Sequence, residues 1–131
     1  MAVFGVPNEG KDGIIAPAIY TSSLKIGLYT NTQDSLSASS VLADITEPDD
    51  AATFDGYAQQ TLSGSWAFSN GLVTYTPNIQ FENTGGSSWT DDVTGVFIHN
   101  DTYLLHFKDL AVGATTMTAG KVLEVDISTV I

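Results

Sequence analysis

The chain predicts an all-β fold, an antiparallel sandwich or jelly-roll-like barrel of about seven to eight strands, preceded by an extended N-terminal arm. Three observations carry this. Short runs alternate apolar and polar residues with the period of a half-buried strand. Clusters of Gly, Pro, Asn, Asp and Ser separate those runs at short intervals. No stretch sustains a helical period over several turns. The reading divides the chain into an arm, residues 1–23, and a β-sandwich domain, residues 24–131.

In the arm, Gly5, Pro7, Gly10, Gly13 and Pro17 interrupt any regular element. Yet Val3, Phe4, Val6, Ile14, Ile15, Ile19 and Tyr20 are too apolar for a solvated tail. Two readings stand side by side: the arm lies on its own sheet as an irregular edge strand, or it reaches a neighbouring subunit or partner protein. Residues 24–29 then read as a strand, 31–40 as a polar loop, and 41–44 as a short helical turn capped by Ser39 or Ser40 and limited by Pro48. An acidic loop over 49–56 leads to a strand over 57–63.

Residues 65–76 predict a hairpin about Asn70-Gly71, the most favourable dipeptide for a two-residue loop. Its register opposes Trp66 to Tyr75 and Phe68 to Val73. Residues 79–83 alternate as a further strand. A second hairpin spans 93–108 about Asn100-Asp101, opposing His99 to Thr102, Ile98 to Tyr103, Phe97 to Leu104 and Val96 to Leu105. One face then carries Val96, Ile98, Tyr103, Leu105 and Phe107, and the other carries Phe97, Leu104, His99 and His106. A pair apolar on both faces requires cover on both, from another sheet, the N-terminal segment or another subunit. Residues 109–120 read as loop, and 122–128 as a last strand with Leu123, Val125 and Ile127 inward.

At 131 residues the chain predicts one domain, able to bury a core without staples. It has no cysteine, and so no disulfide or thiolate metal site. Arginine is absent, and four lysines face fifteen acids for a net charge of −11. Binding to a phosphate backbone or an anionic membrane depends on cationic side chains, so neither nucleic acid nor membrane is an expected partner. The opening apolar residues are cut short by Pro7-Asn8-Glu9-Gly10 with no basic residue before them, unlike a signal peptide.

Candidate chemistry is sparse. His99 and His106 fall on one face in the predicted register, but no further ligand joins them, so zinc is not expected. Asp49, Asp50 and Asp55, or Asp91 and Asp92, offer oxygen donors without the spacing of an EF-hand. Gly-x-Ser-x-Gly is missing, and Gly85-Gly86 lacks the lysine and spacing of a phosphate loop. Trp66, Trp89, Tyr57 and Tyr75 could make an aromatic platform for a sugar, although Trp66 reads rather as a core or cross-strand residue. The expectation is no catalytic, cofactor or metal site, and a protein that is not an enzyme. The arm residues Phe4, Val6, Ile14, Ile15, Ile19 and Tyr20 are the first candidates for an interface, and Phe97, Leu104 and His106 on the hairpin are the second.

The order of features from Leu24 onward carries a resemblance: Lys25-Ile-Gly-Leu-Tyr-Thr-Asn31, Val41-Leu-Ala-Asp-Ile-Thr-Glu47, Asp55-Gly-Tyr-Ala-Gln-Gln60, the Gly64-Ser-Trp66 hairpin, Val93-Thr-Gly-Val-Phe-Ile98, Leu104-Leu-His-Phe107 and Met117-Thr-Ala-Gly-Lys-Val-Leu-Glu-Val125. This pattern resembles small all-β virion proteins of tailed bacteriophages, in the neighbourhood of capsid decoration (cement) and minor structural proteins. Residues 1–23 fall outside it, and it brings no catalytic residue. It implies a homo-oligomer, with a trimer favoured, on the outer surface of the capsid. There it would bridge the major capsid protein or other virion subunits. The alternative is a structural or receptor-binding module of a tail or fibre.

Overall fold

The computed structural model describes residues 4–48 and 54–131. Its nine strands, one or two more than the sequence predicts, are β1 (Lys25–Tyr29), β2 (Gln60–Thr61), β3 (Ser65–Ser69), β4 (Leu72–Thr76), β5 (Ile79–Glu82), β6 (Gly95–His99), β7 (Leu104–Asp109), β8 (Val122–Val125) and β9 (Ser128–Val130). All pairs are antiparallel. They form a four-stranded sheet in the order β2-β1-β6-β7, a three-stranded sheet β3-β4-β9, and the pair β5-β8. The predicted last strand is thus two strands. The ladder stops at Val125 and resumes at Ser128, so its halves join different sheets. Leu123, Val125 and Ile127 still turn inward while Glu124, Asp126 and Ser128 are exposed.

Turn chemistry decides both hairpins. Asn70 (φ 53°) and Gly71 (φ 76°) both take left-handed angles, as a tight two-residue loop demands. Trp66 therefore pairs with Tyr75, and Phe68 with Val73. At the second hairpin the two-residue loop is wrong. The Asn100 side-chain oxygen accepts the Thr102 and Tyr103 amides, and Asp101 goes left-handed at φ 73°. The loop is longer, and a bulge shifts the register between Ile98 and His99. Phe97 consequently opposes Phe107 and Ile98 opposes His106. A one-residue slip reverses every side chain of a strand, so His99 and His106 lie on opposite faces, and Phe107 shares its face with Phe97.

At the sheet's centre two glycines receive two aromatic rings. Gly27 pairs with Phe97 and Gly95 with Tyr29, reciprocally across β1 and β6. A Cβ on Gly27 would stand 2.7 Å from Phe97 Cε1, and one on Gly95 would overlap the Tyr29 ring. On the opposite face Ile26, Leu28 and Ile98 join Val73 and Tyr75 of the second sheet and Ile79, Phe81 and Val125 of the third in one buried core. The chain itself therefore supplies cover on both sides of β6.

The predicted extended arm is helical. Asn8–Gly10 (α1), a π-helical turn over Lys11–Ile15 and Ala16–Ile19 (α2) follow one another without a break. Pro17 has no N–H to donate to the Gly13 carbonyl, and the wider turn preceding α2 accommodates the lost bond. The N-cap positions carry no side-chain cap, so this segment is held by what it touches rather than by its own ends. The short helical turn expected over 41–44 forms as a 3₁₀ helix over Leu42–Asp44, but its side-chain cap is the Asp44 carboxylate, which accepts the Val41 amide, and not a serine. The strand predicted over 57–63 shrinks to β2 because Tyr57 and Gln59 put their side chains into the polar network described below.

Candidate subunit interface

Two attachments fix the N-terminal segment to the sheets. The Asp12 carboxylate accepts the Asn70 N–H at 2.8 Å and the Gly71 N–H at 2.9 Å. Successive amides in left-handed turn residues form an anion-accepting concavity, and here the anion comes from the same chain. At the other end the Tyr20 hydroxyl lies 2.6 Å from His106 Nε2, and the two rings stack. Tyr20 also packs on Trp66 at 5.0 Å between centroids. The segment is thus a strap running from the β3–β4 turn to β7.

The strap buries little of itself. Ala16 and Tyr20 are enclosed, and Ile15 is half-buried. Phe4 is 98% exposed, Ile14 74%, Val6 52% and Ile19 37%. Of the residues singled out from the sequence, Tyr20 and Phe97 face the interior of their own chain and are not available to a partner. Leu104 and His106 are half-buried. His106 opens on a cleft of ≈ 190 Å³ between β6–β7 and residues 125–129. Leu104 lines a larger groove of ≈ 360 Å³ with Ile19, Leu24 and Leu105, at whose rim stands Tyr103. Tyr103 is 72% exposed and was missed as a surface aromatic. Its signal was the Asn-Asp-Thr-Tyr tip itself, since a residue inside a four-residue turn projects outward.

The remaining polar groups are structural in arrangement. The Tyr57 hydroxyl donates to Glu47 and accepts the Leu28 amide at 3.1 Å, where the short β2 leaves that edge unpaired. Gln59 Nε2 donates to the same carboxylate, and Gln59 Oε1 faces His99 Nε2 at 2.7 Å. His99 Nδ1 accepts the Asp101 amide. With one nitrogen accepting and the other donating, His99 is a neutral imidazole. Burial pushes it below its usual value, against the opposing pull of Asp101 and Glu47. Burial does the same to His106. Tyr57 is pushed well above its ordinary value, first by burial and then by the Glu47 carboxylate.

Among the described residues no group of His, Asp and Glu converges as a metal set. Asp49 and Asp50 lie outside those residues. Asp92 instead accepts the Thr116 hydroxyl. The aromatic residues considered as a sugar platform are turned inward: Trp89 is 3% exposed, its ring edge-on to Phe54 and Tyr57. No described helix is long and apolar enough to cross a membrane. Comparisons with family models, with curated proteins and with solved structures return no significant match to this chain.

Proposed function

We propose that this chain is a non-enzymatic structural protein of a phage virion, a decoration (cement) protein on the outer surface of the head. In this reading it acts as a homo-oligomer, with a trimer favoured, and bridges and stabilises neighbouring capsid subunits. In this reading the nine strands among the described residues close as a jelly-roll-like sandwich, a form supported by a single core drawn from all three sheets. The observation that carries the reading is the apolar outer side of the strap. Ile14 stands in solvent between the anchors at Asp12 and Tyr20, and Phe4 and Val6 stand in solvent on the stretch leading into the first of them. Apolar surface held out in this way is suited to being covered by another protein. The charge of −11 accords with a position outside the head, away from packaged nucleic acid.

The test keeps the anchors and removes the grease. A chain with Phe4→Ser, Val6→Ser and Ile14→Ser retains Asp12, Ala16 and Tyr20. It is expected to fold normally and to lose co-sedimentation with heads depleted of the protein. Undiminished binding by the folded variant would overturn the role of the strap. Imaging of intact particles that placed the chain on the tail would replace the head reading with that of a tail or fibre module.

A further inference from the structure

We propose that Asn70 is a site of spontaneous deamidation gated by the strap, and that the carboxylate it gains bars the strap from closing again.

The chemistry belongs to the dipeptide. Asn70 is the one asparagine of this chain followed by glycine, and a glycine nitrogen, with no Cβ beside it, approaches a neighbouring carbonyl most freely. The Gly71 backbone nitrogen attacks Asn70 Cγ as it gives up its proton. The new N–Cγ bond closes a five-membered imide, and the Cγ–Nδ2 bond breaks to release ammonia. Water then opens the imide at either carbonyl. Opening at Cγ leaves an aspartate, and opening at the backbone carbonyl leaves an isoaspartate with the chain routed through its side chain. Nothing is oxidised, and the only co-reactant is water.

The fold holds this reaction back. Asp12 accepts the Asn70 N–H at 2.8 Å and the Gly71 N–H at 2.9 Å. These amides flank one residue and share one carboxylate, so the backbone torsions of Asn70 are fixed between them. Ring closure requires the Gly71 nitrogen to swing round to Cγ and to lose the proton that Asp12 holds. Asn70 is exposed, but Gly71 is buried. Asn8 Oδ1 and Lys11 Cδ of the strap stand 3.2 and 3.3 Å from where a Cβ on Gly71 would lie. The strap must therefore lift before the nitrogen is free. It can lift without the sheets, because its helical turns lack side-chain caps and only Ala16 and Tyr20 are fully enclosed. Conversion then makes the opening one-way. The product carboxylate arises on the residue whose own amide Asp12 must hold, and like charges repel there. An isoaspartate also adds a backbone atom to a two-residue turn.

The test follows the full chain, folded in a warm, mildly alkaline buffer, by intact mass and by tandem mass spectrometry that locates the change. Conversion is expected at Asn70 ahead of every other asparagine. Asp12→Ala should convert about fivefold faster than the wild type, and the chain unfolded in urea faster still. Asn70→Asp supplies the product's charge without its extra backbone atom, and Asp-Gly serves the same kind of turn, so the hairpin should persist. In that variant the Tyr20 amide, bonded to the Ala16 carbonyl at 2.8 Å, should lose hydrogen-exchange protection while the β3–β4 amides keep theirs. High NaCl should restore part of the loss. No conversion at Asn70 in the folded chain overturns the proposal, as does a rate that Asp12→Ala leaves unchanged or slows. Unchanged protection at Tyr20 in Asn70→Asp overturns it as well.

Discussion

The Tyr20 hydroxyl sits 2.6 Å from His106 Nε2, joining residues 86 positions apart in the chain. Through this contact the end of the strap is tied to the edge strand of the largest sheet. The ring of Tyr20 does a second job, filling the space above Trp66 and Phe68 on β3. One residue therefore holds two sheets and a helix together. Tyr20→Phe should cost about 1 kcal/mol, the scale of one net hydrogen bond. Tyr20→Ala should cost about 3–5 kcal/mol, as aromatic truncation in a core does. Urea midpoints at constant m-value measure both. Equal effects for the two variants would show that the ring carries no packing role.

Acid should weaken the fold through its two histidines. Burial, nearly complete for His99 and partial for His106, holds both below the ordinary value of 6.5, so the unfolded chain takes up protons before the folded one does. Their contribution is complete above pH 6.5 and is lost as pH falls from there through the folded values. Protonating His99 also removes the acceptor of the Asp101 amide. Unfolding followed in urea between pH 8 and pH 5 should show this decline, and His99→Gln with His106→Gln should flatten it. At the other extreme, Tyr20, Tyr29 and Tyr57 are all raised above 10 by burial. The unfolded chain therefore loses protons first, and stability should fall as pH climbs past 10.

How far such features can be read in advance depends on whether local chemistry decides them. Asn70-Gly71 admits essentially one loop, so the β3–β4 register follows from the dipeptide. Asn100-Asp101 admits more than one, and the choice was made by the Asn100 side chain taking two backbone amides. That choice moved His106 to the core face, where it meets Tyr20, and left Tyr103 outside. The strap was recognisable as apolar and irregular. Its docked helical form is held by tertiary contacts that no local pattern encodes: Asp12 on the amides of a turn nearly sixty residues away, and the burial of Ala16 and Tyr20. The groove lined by Ile19, Leu24, Leu104 and Leu105 was not legible, because its lining comes from two distant stretches of chain.

Steric fit at the sheet centre gives a sharper expectation. Gly95→Ala drives a methyl into the Tyr29 ring, which is fully buried and whose hydroxyl donates to Asp109 at 2.6 Å. Asp109 in turn accepts the Asp34 amide, so the ring cannot move without breaking a second contact. Overpacking of this kind costs about 1–3 kcal/mol or more. Gly27→Ala, against Phe97, belongs to the same class. Gly86→Ala, with nothing within 4 Å of the added carbon, is the control and should be neutral. Thermal melting of the three variants separates them, and a stable Gly95→Ala chain would contradict the packing described.

The Asp12 clasp predicts a local effect with little global consequence. Its two carboxylate oxygens accept two turn amides, one bond each. Hydrogen bonds to a charged group are worth about 1.5–3 kcal/mol when sheltered, but Asp12 is only half-buried, so Asp12→Ala should cost about 1 kcal/mol. The signature lies in hydrogen exchange. The Asn70 and Gly71 amides should exchange faster in Asp12→Ala, while the cross-strand amides of β3 and β4, satisfied by each other, keep their protection. Asp12→Asn retains one acceptor oxygen and should protect one of the two amides better than the other. Loss of protection along the whole hairpin would mean that the strap supports the β3–β4 pairing itself, and unchanged exchange at both turn amides would mean that the clasp does not form in solution.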